Sequence, residues 1–202
     1  MKAIKHIAFL RGINVGGNKL IKMDALASAL TSAGFRNVRT YIASGNVIFD
    51  SRAKKLDGLE KKAERKLLKT FGHEIVVVIF SLTELQELIE RDPFRRIQSN
   101  SDVMLIVTFL KHKAPQVKLP LESKTENLEV FAIQDRAVFT VARRKKTGWF
   151  GFPNNFIEKE LGVAATTRQW NVAKGCRGGR ASLNFTTSLD ANAARCQSPK
   201  LN

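Results

Sequence analysis

Cysteine and histidine are scarce in this chain. Of 202 residues, only two are cysteine, Cys176 and Cys196, and three are histidine, His6, His73 and His112. The cysteines form no C-x-x-C pair, so no disulfide framework is expected and a reducing cytoplasm fits best. The histidines are far apart and no H-E-x-x-H motif occurs, so no metal site is expected. No run of 18 apolar residues exists, which argues against a spanning helix and a membrane partner. The apolar stretch before Arg11 is too short for a secretory h-region. Acidic residues are also few: 18 Asp and Glu face 34 Lys and Arg, for a net charge of +16 and a pI of about 10.3. A surplus this large suits polyanions, whether nucleic acid, anionic lipid or phosphorylated metabolites, without choosing among them. A basic surface with no such partner is the alternative.

What is present is a core. Hydrophobic residues make up 44% of the chain, ordinary for a globular protein, and the length fits one domain or two small ones. Ile4 to Leu10 reads as a buried strand ended by Arg-Gly. Met23 to Ala33 has apolar residues at helical spacing, stopped by Gly34. Val38 to Ile42 and Val47 to Phe49 read as strands around the turn Ser44-Gly45-Asn46. Leu56 to Phe71 is a basic amphipathic helix closed by Gly72, and Ile75 to Phe80 is a continuous apolar strand. The order over residues 1–80 is β-α-β-β-α-β, that of a ferredoxin-like plait.

Ser81-Leu82-Thr83-Glu84 is a capping box opening a helix that must end before Asp92-Pro93. Strands follow at Val103 to Leu110, Leu128 to Gln134 and Ala137 to Ala142. Between the first two, Ala114 to Ser123 is short helix or loop. Asn154 to Leu161 is a helix stopped by Gly162, and Val163 to Arg168 a last short strand. The expected class is α+β: two plait-like halves, residues 1–80 and 81–172, with antiparallel sheets and helices on one face. The alternative is one larger domain with a continuous sheet. Residues 173–202 read as an irregular basic tail, but it holds only five of the 34 basic residues.

The segment Arg11–Lys19, RGINVGGNK, is the leading candidate site. Gly12, Gly16 and Gly17 let backbone amides approach an anion. Arg11, Asn14, Asn18 and Lys19 supply charge and hydrogen bonds, beside a helix start that favours negative charge. Neither G-x-G-x-x-G nor G-x-x-x-x-G-K-[ST] is present, so no dinucleotide or P-loop fingerprint applies and no cofactor is implied. The plain alternative is a glycine-requiring connection whose asparagines cap their own backbone.

Other candidate ligand contacts are Arg39 and Tyr41, Ser44 and Asn46 in the hairpin, and Arg168 beside Trp170. The plait order suggests that the hairpin turn lies opposite the first loop, so Asn46 need not reach it. Arg168 could instead sit in a salt bridge. Arg143-Arg144-Lys145-Lys146, followed by Trp149 and Phe150, suits single-stranded nucleic acid, or is a solvated hairpin end. No catalytic constellation is legible: His6 is alone on a strand, and Ser44 has no histidine base. Whether the protein is an enzyme is left open, as is its oligomeric state.

The run LRGINVGGNKLIKMDALASALTSAGFRNVRTYIASGNVIFDS resembles the opening signature of a bacterial family, domain of unknown function 1697. Asp92-Pro93-Phe94, Asn155 to Lys159 and Thr166-Thr167-Arg168 resemble later motifs of the same family. The resemblance covers about residues 1–172. It implies two plait-like halves and no established activity, substrate or catalytic residue. The sequence departs from that pattern late: Gln169 stands where asparagine is expected, and the usual short apolar final helix is not evident after Asn171.

Three functions fit these observations. One is nucleic-acid or other polyanion binding, with Phe9 and Phe49 as base-stacking aromatics on the sheet. The second is an enzyme or sensor for a small phosphorylated or carboxylated ligand at the loop. The third is a protein-interaction module using a free sheet face.

Overall fold

The structure is a computed structural model that describes residues 3–15, 20–53, 55–98 and 100–176. In chain order the elements are β1 (Ile4–Leu10), α1 (Met23–Ser32), β2 (Arg36–Tyr41), β3 (Asn46–Ser51), α2 (Leu56–Phe71), β4 (Val77–Ser81) and α3 (Leu82–Arg91). There follow β5 (Val103–Leu110), β6 (Leu121–Ser123), β7 (Leu128–Gln134), β8 (Ala137–Arg143), α4 (Asn154–Leu161), β9 (Ala165–Gln169) and α5 (Trp170–Cys176). The described residues form two antiparallel sheets and five helices, ordered β2-β3-β1-β4 and β6-β7-β8-β5-β9.

Local signals explain most boundaries. The capping box is present: the Glu84 amide donates to Ser81 Oγ at 3.1 Å, and the Ser81 amide donates to Glu84 Oε2 at 2.7 Å. Gly72 closes α2 at φ +76°, its amide donating to the Leu68 carbonyl. Strand alternation then sorts side chains to two faces. On β1, Ala8 and Leu10 point toward α1 and α2 with Val47, Phe49, Val77 and Ile79. Ile7 and Phe9 point the other way, with Val78 and Phe80, onto Val107, Phe109 and Phe139 of the second sheet. The two sheets therefore pack face to face. Phe9 stacks on Phe109 with centroids 4.1 Å apart, and Phe80 meets Phe109 edge-on at 5.1 Å. Each such pair contributes about 0.5–1.5 kcal/mol beyond area burial. Leu85, Leu88 and Ile89 of α3 and Trp170 and Ala173 of α5 complete this shared core.

Several expectations are corrected here. The first sheet has no free face. Phe9 is buried between sheets, and Phe49 lies under the helices against Phe35 and His6, so neither can stack on a base. The element order is not repeated in the second half. Residues 111–120 carry no helix, and β6 stands before β7. Pro115 and Pro120 remove backbone donors from that stretch. The final helix does exist as α5, burying Trp170, Ala173 and Cys176 at three-residue spacing, so residues 173–176 do not belong to an irregular tail. Residues 177–202 lie outside the described residues.

A seam ties the halves together along β4, an edge strand of the first sheet. The Ile79 amide donates to Glu60 Oε1 at 2.8 Å, and the Val77 amide to Glu64 Oε1 at 3.0 Å. Arg136, in the turn between β7 and β8, donates from Nη2 to the Ile79 carbonyl at 2.5 Å and lies over the Phe80 ring at 4.2 Å. Its Nη1 is 3.7 Å from Glu60, while Lys111 pairs with Glu64. Glu60 and Glu64 of α2 thus satisfy amides that an open edge would offer to another strand.

Candidate functional site

The loop after β1, the turn before β3 and the end of β9 meet at one place. β1 and β2 run in the same direction, with α1 returning between them, so the β2–β3 turn lies at the end where β1 finishes. Phe9 is opposite Asn46, and the Leu10 amide donates to the Gly45 carbonyl at 2.8 Å. The expectation that this turn lies opposite the loop is therefore wrong, and Asn46 does reach the junction.

Arg168 occupies its centre, 8% exposed. Its Nε donates to Asn46 Oδ1 at 2.6 Å. Its Nη1 donates to Thr166 Oγ1 at 2.9 Å and to the Thr167 carbonyl at 2.7 Å. Its Nη2 donates to the carbonyls of Leu10 and Ser44, each at 2.9 Å, and of Gly45 at 3.3 Å. A guanidinium has five N–H groups, and here all five are used on neutral oxygens. No carboxylate pairs with it among the described residues, which corrects the salt-bridge expectation. Burial lowers its pKa to about 10, so it stays charged at neutral pH. The cation is solvated by protein carbonyls in place of water.

Asn14, with φ +56°, closes the base of the loop. Its Nδ2 donates to the carbonyls of Ile21 at 3.0 Å and Ala43 at 2.9 Å, and its Oδ1 accepts the Ile21 amide at 2.7 Å. Asn46 Nδ2 donates to the Tyr41 carbonyl and to Ser44 Oγ. Gly45 is required there: at φ +75°, an added Cβ would lie 2.8 Å from the Ile13 side chain. Arg11, half-exposed, donates to Glu158 Oε2 at 2.5 Å, and Glu158 Oε1 accepts the Ala165 amide at 2.8 Å. Gly12 is exposed at φ +64°. Gly16, Gly17, Asn18 and Lys19 lie outside the described residues. Exposed Val15, Leu20 and Ile42 border the junction.

The junction thus uses its polar groups internally, except for Arg11 Nε, which is buried without a partner among the described residues. Arg11, Asn14, Ser44, Asn46 and Arg168 are held together, while Tyr41 sits beside α5, its hydroxyl against Gly175. Burial raises the Tyr41 phenol and pushes the Cys176 thiol up to about 12, despite the nearby Arg168 charge, so that thiol is un-ionised. Arg39 is exposed on β2, the outer strand of its sheet. Glu158 was not legible as a site residue, since nothing in NNFIEKEL separates it from an ordinary solvated acid.

Elsewhere, His6 is buried against Phe49, its Nδ1 without a partner, and burial lowers its pKa. Three of the four cations in the basic run at the end of β8 are paired, Arg143 with Glu129, Arg144 with Asp102 and Lys145 with Glu126, while Lys146 is exposed with no ion pair among the described residues. Trp149 and Phe152 beside it are exposed. On α2, by contrast, Lys61, Lys62, Arg65 and Lys69 face solvent with no ion-pair partner among the described residues. The described residues hold no group of three His, Cys, Asp or Glu fit for a metal, and no helix long and apolar enough to cross a membrane.

The conserved bacterial protein SP0830 from Streptococcus pneumoniae has a similar fold, with a TM-score of 0.63 and 16% identity over 88% of this chain and 98% of that one. No curated protein matches the chain. The family described as "Protein of unknown function (DUF1697)" matches residues 4–139, which stops short of α4 and β9. By that match over more than half its length, the chain belongs to the DUF1697 family.

Proposed function

We propose that this protein binds polyanions, nucleic acid foremost, through the outer face of α2 and the loop end toward which that helix runs. The observation that carries this reading is the division of charge on α2. Glu60 and Glu64 turn inward to the β4 edge, while Lys61, Lys62, Arg65 and Lys69 remain outside with no ion-pair partner among the described residues. A row of unneutralised cations binds phosphates by releasing their counterions. Arg11 lies at the same end, since its amide donates to the Val76 carbonyl just beyond α2. Within this reading the first half is a plait, which the order β2-β3-β1-β4 and two helices on one face support.

The test is anisotropy titration of a labelled single-stranded oligonucleotide across a salt series. If the four cations each meet a phosphate, log K falls against log salt with a slope contribution of about 3. The variant K61A/K62A/R65A/K69A loses that contribution. Equal affinity and equal slope for the variant and the parent would exclude α2 as the contact.

A further inference from the structure

The segment after β8 is tied down along its backbone, yet it turns two aromatic rings outward. Of the phenylalanine, tyrosine and tryptophan side chains among the described residues, only Trp149 and Phe152 are exposed, at 47% and 54%. The Lys145 amide donates to the Trp149 carbonyl at 2.8 Å, and the Gly148 amide to the Lys145 carbonyl at 2.9 Å. Arg144 clamps the segment. Its Nη1 donates to the Gly148 carbonyl at 2.8 Å, its Nε to Asp102 Oδ1 at 2.9 Å and its Nη2 to the Ser101 carbonyl, while its guanidinium lies over the Phe150 ring. Gly151 is buried against the turn between β6 and β7, where an added Cβ would strike the Glu126 carbonyl. Phe152 therefore stands exposed between buried Gly151 and buried Pro153. Next to this segment, Arg143, Arg144, Lys145 and Lys146 line a groove of about 320 Å³ with Asn100 and Asp102.

We infer that this place takes single-stranded nucleic acid, with a base stacked on Trp149 and backbone phosphates in the groove. The inference rests on the polyanion reading above for its class of ligand and adds a second contact to it. A basic groove beside an exposed aromatic is the arrangement that holds unpaired strands, and stacking tolerates any sequence because every base has a π-face. The face of α2 offers cations and no exposed ring, so it cannot supply this contact. The groove's own carboxylate, Asp102, is engaged by Arg144. Lys146, exposed and without an ion pair among the described residues, is the first phosphate contact. Arg143 and Lys145 are the next. They pair with Glu129 at 3.3 Å and Glu126 at 3.0 Å, but both pairs are open to solvent. Pairs of that kind contribute little, so a phosphate displaces the carboxylate at small cost.

Trp149 is its own probe. The chain's other tryptophan, Trp170, is 2% exposed, so a base on Trp149 registers as quenching of the exposed indole. The full chain is titrated with oligo-dT, with the same strand paired to oligo-dA, and with polyphosphate. Oligo-dT quenches the emission saturably and shields it from acrylamide. The duplex, whose bases are already stacked, and polyphosphate, which has none, leave it unchanged. W149F keeps a ring but leaves only Trp170, so the signal disappears while anisotropy still reports binding. W149A lowers oligo-dT affinity about tenfold, with an unfolding midpoint near the parent's. K146A lowers the slope of log K against log salt by about 0.7. Binding without quenching, equal quenching by duplex or polyphosphate, or parental affinity in W149A would overturn the inference. The two contacts fail separately. Anisotropy with the α2 salt slope but no quenching leaves α2 alone. Unchanged quenching and slope in K61A/K62A/R65A/K69A leave this groove alone.

Discussion

Replacing Arg168 with methionine removes the guanidinium while keeping similar bulk. It strands the acceptors that Arg168 serves: Asn46 Oδ1 and the carbonyls of Leu10, Ser44, Gly45 and Thr167. Not all are lost. The Gly45 carbonyl keeps the Leu10 amide, and the Leu10 carbonyl keeps a weak bond from Thr166 Oγ1 at 3.3 Å. The Ser44 contact is only part-buried, so water can replace it. About two acceptors are then left unsatisfied, at about 1–3 kcal/mol each. Relief of the buried charge's desolvation offsets part of that. The expected net loss is about 3 kcal/mol, roughly 6–12 °C in Tm for a chain of this size. R168K keeps the charge but has three donors and no planar fork, so it falls between the two. Urea unfolding and thermal melts measure the loss. Hydrogen exchange locates it, with faster exchange at the Leu10 and Ile21 amides than in α4. A loss below about 1 kcal/mol, or R168K as destabilising as R168M, would refute the view that this fork holds the junction together.

Two further perturbations test neighbouring contacts. Burial raises the Glu60 pKa above 4.5 despite the Ile79 amide and Arg136. The folded state then holds this proton to higher pH than the unfolded state, so Glu60's contribution to stability falls as pH rises through the window above 4.5. E60Q removes that term, and unfolding free energies over a pH series should fall less, or rise more, in the variant; identical slopes would show that Glu60 is not desolvated. A Cβ at Gly175 would lie 2.1 Å from Tyr41 Oη and 2.7 Å from Cζ. G175A should therefore cost about 1–3 kcal/mol, and Y41F, which deletes the nearest atom, should recover part of it. No recovery in G175A/Y41F would place the strain elsewhere.

The elements were legible because their signals are local. The Ser81–Glu84 capping box, the apolar periodicity of α2 and the glycine stops need no tertiary information. α5 was missed because its buried stripe, Trp170, Ala173 and Cys176, is short and mostly small, and Lys174-Gly175 resembles the polar tail beyond. The junction was half legible. Glycine and asparagine mark the loop and the turn, but their shared location depends on strand direction, which only the pairing of β3 with both β1 and β2 sets. Arg168 illustrates the harder limit. An arginine that binds a ligand and one that binds six backbone and side-chain oxygens are identical in sequence; only burial separates them. The same holds for Glu60 and Glu64, whose roles come from a strand edge that α2 reaches only in the folded chain.

The buried sheet face constrains how any nucleic acid could bind. Plait proteins that read RNA do so by stacking bases on the open sheet, and here that surface is filled by Phe109, Phe139 and α3. What remains on α2 is a helix face of lysine and arginine, with Leu68 as its one exposed large apolar side chain. Such a face reaches phosphates and carries no base information. Binding through α2 should therefore be indifferent to sequence, so homopolymeric dT and mixed-sequence strands of equal length give affinities within about a factor of three, well under the tenfold that one good base contact confers. A strong base preference would move the contact to the exposed Trp149 and Phe152, where stacking is available but, Lys146 aside, the adjacent cations are already paired.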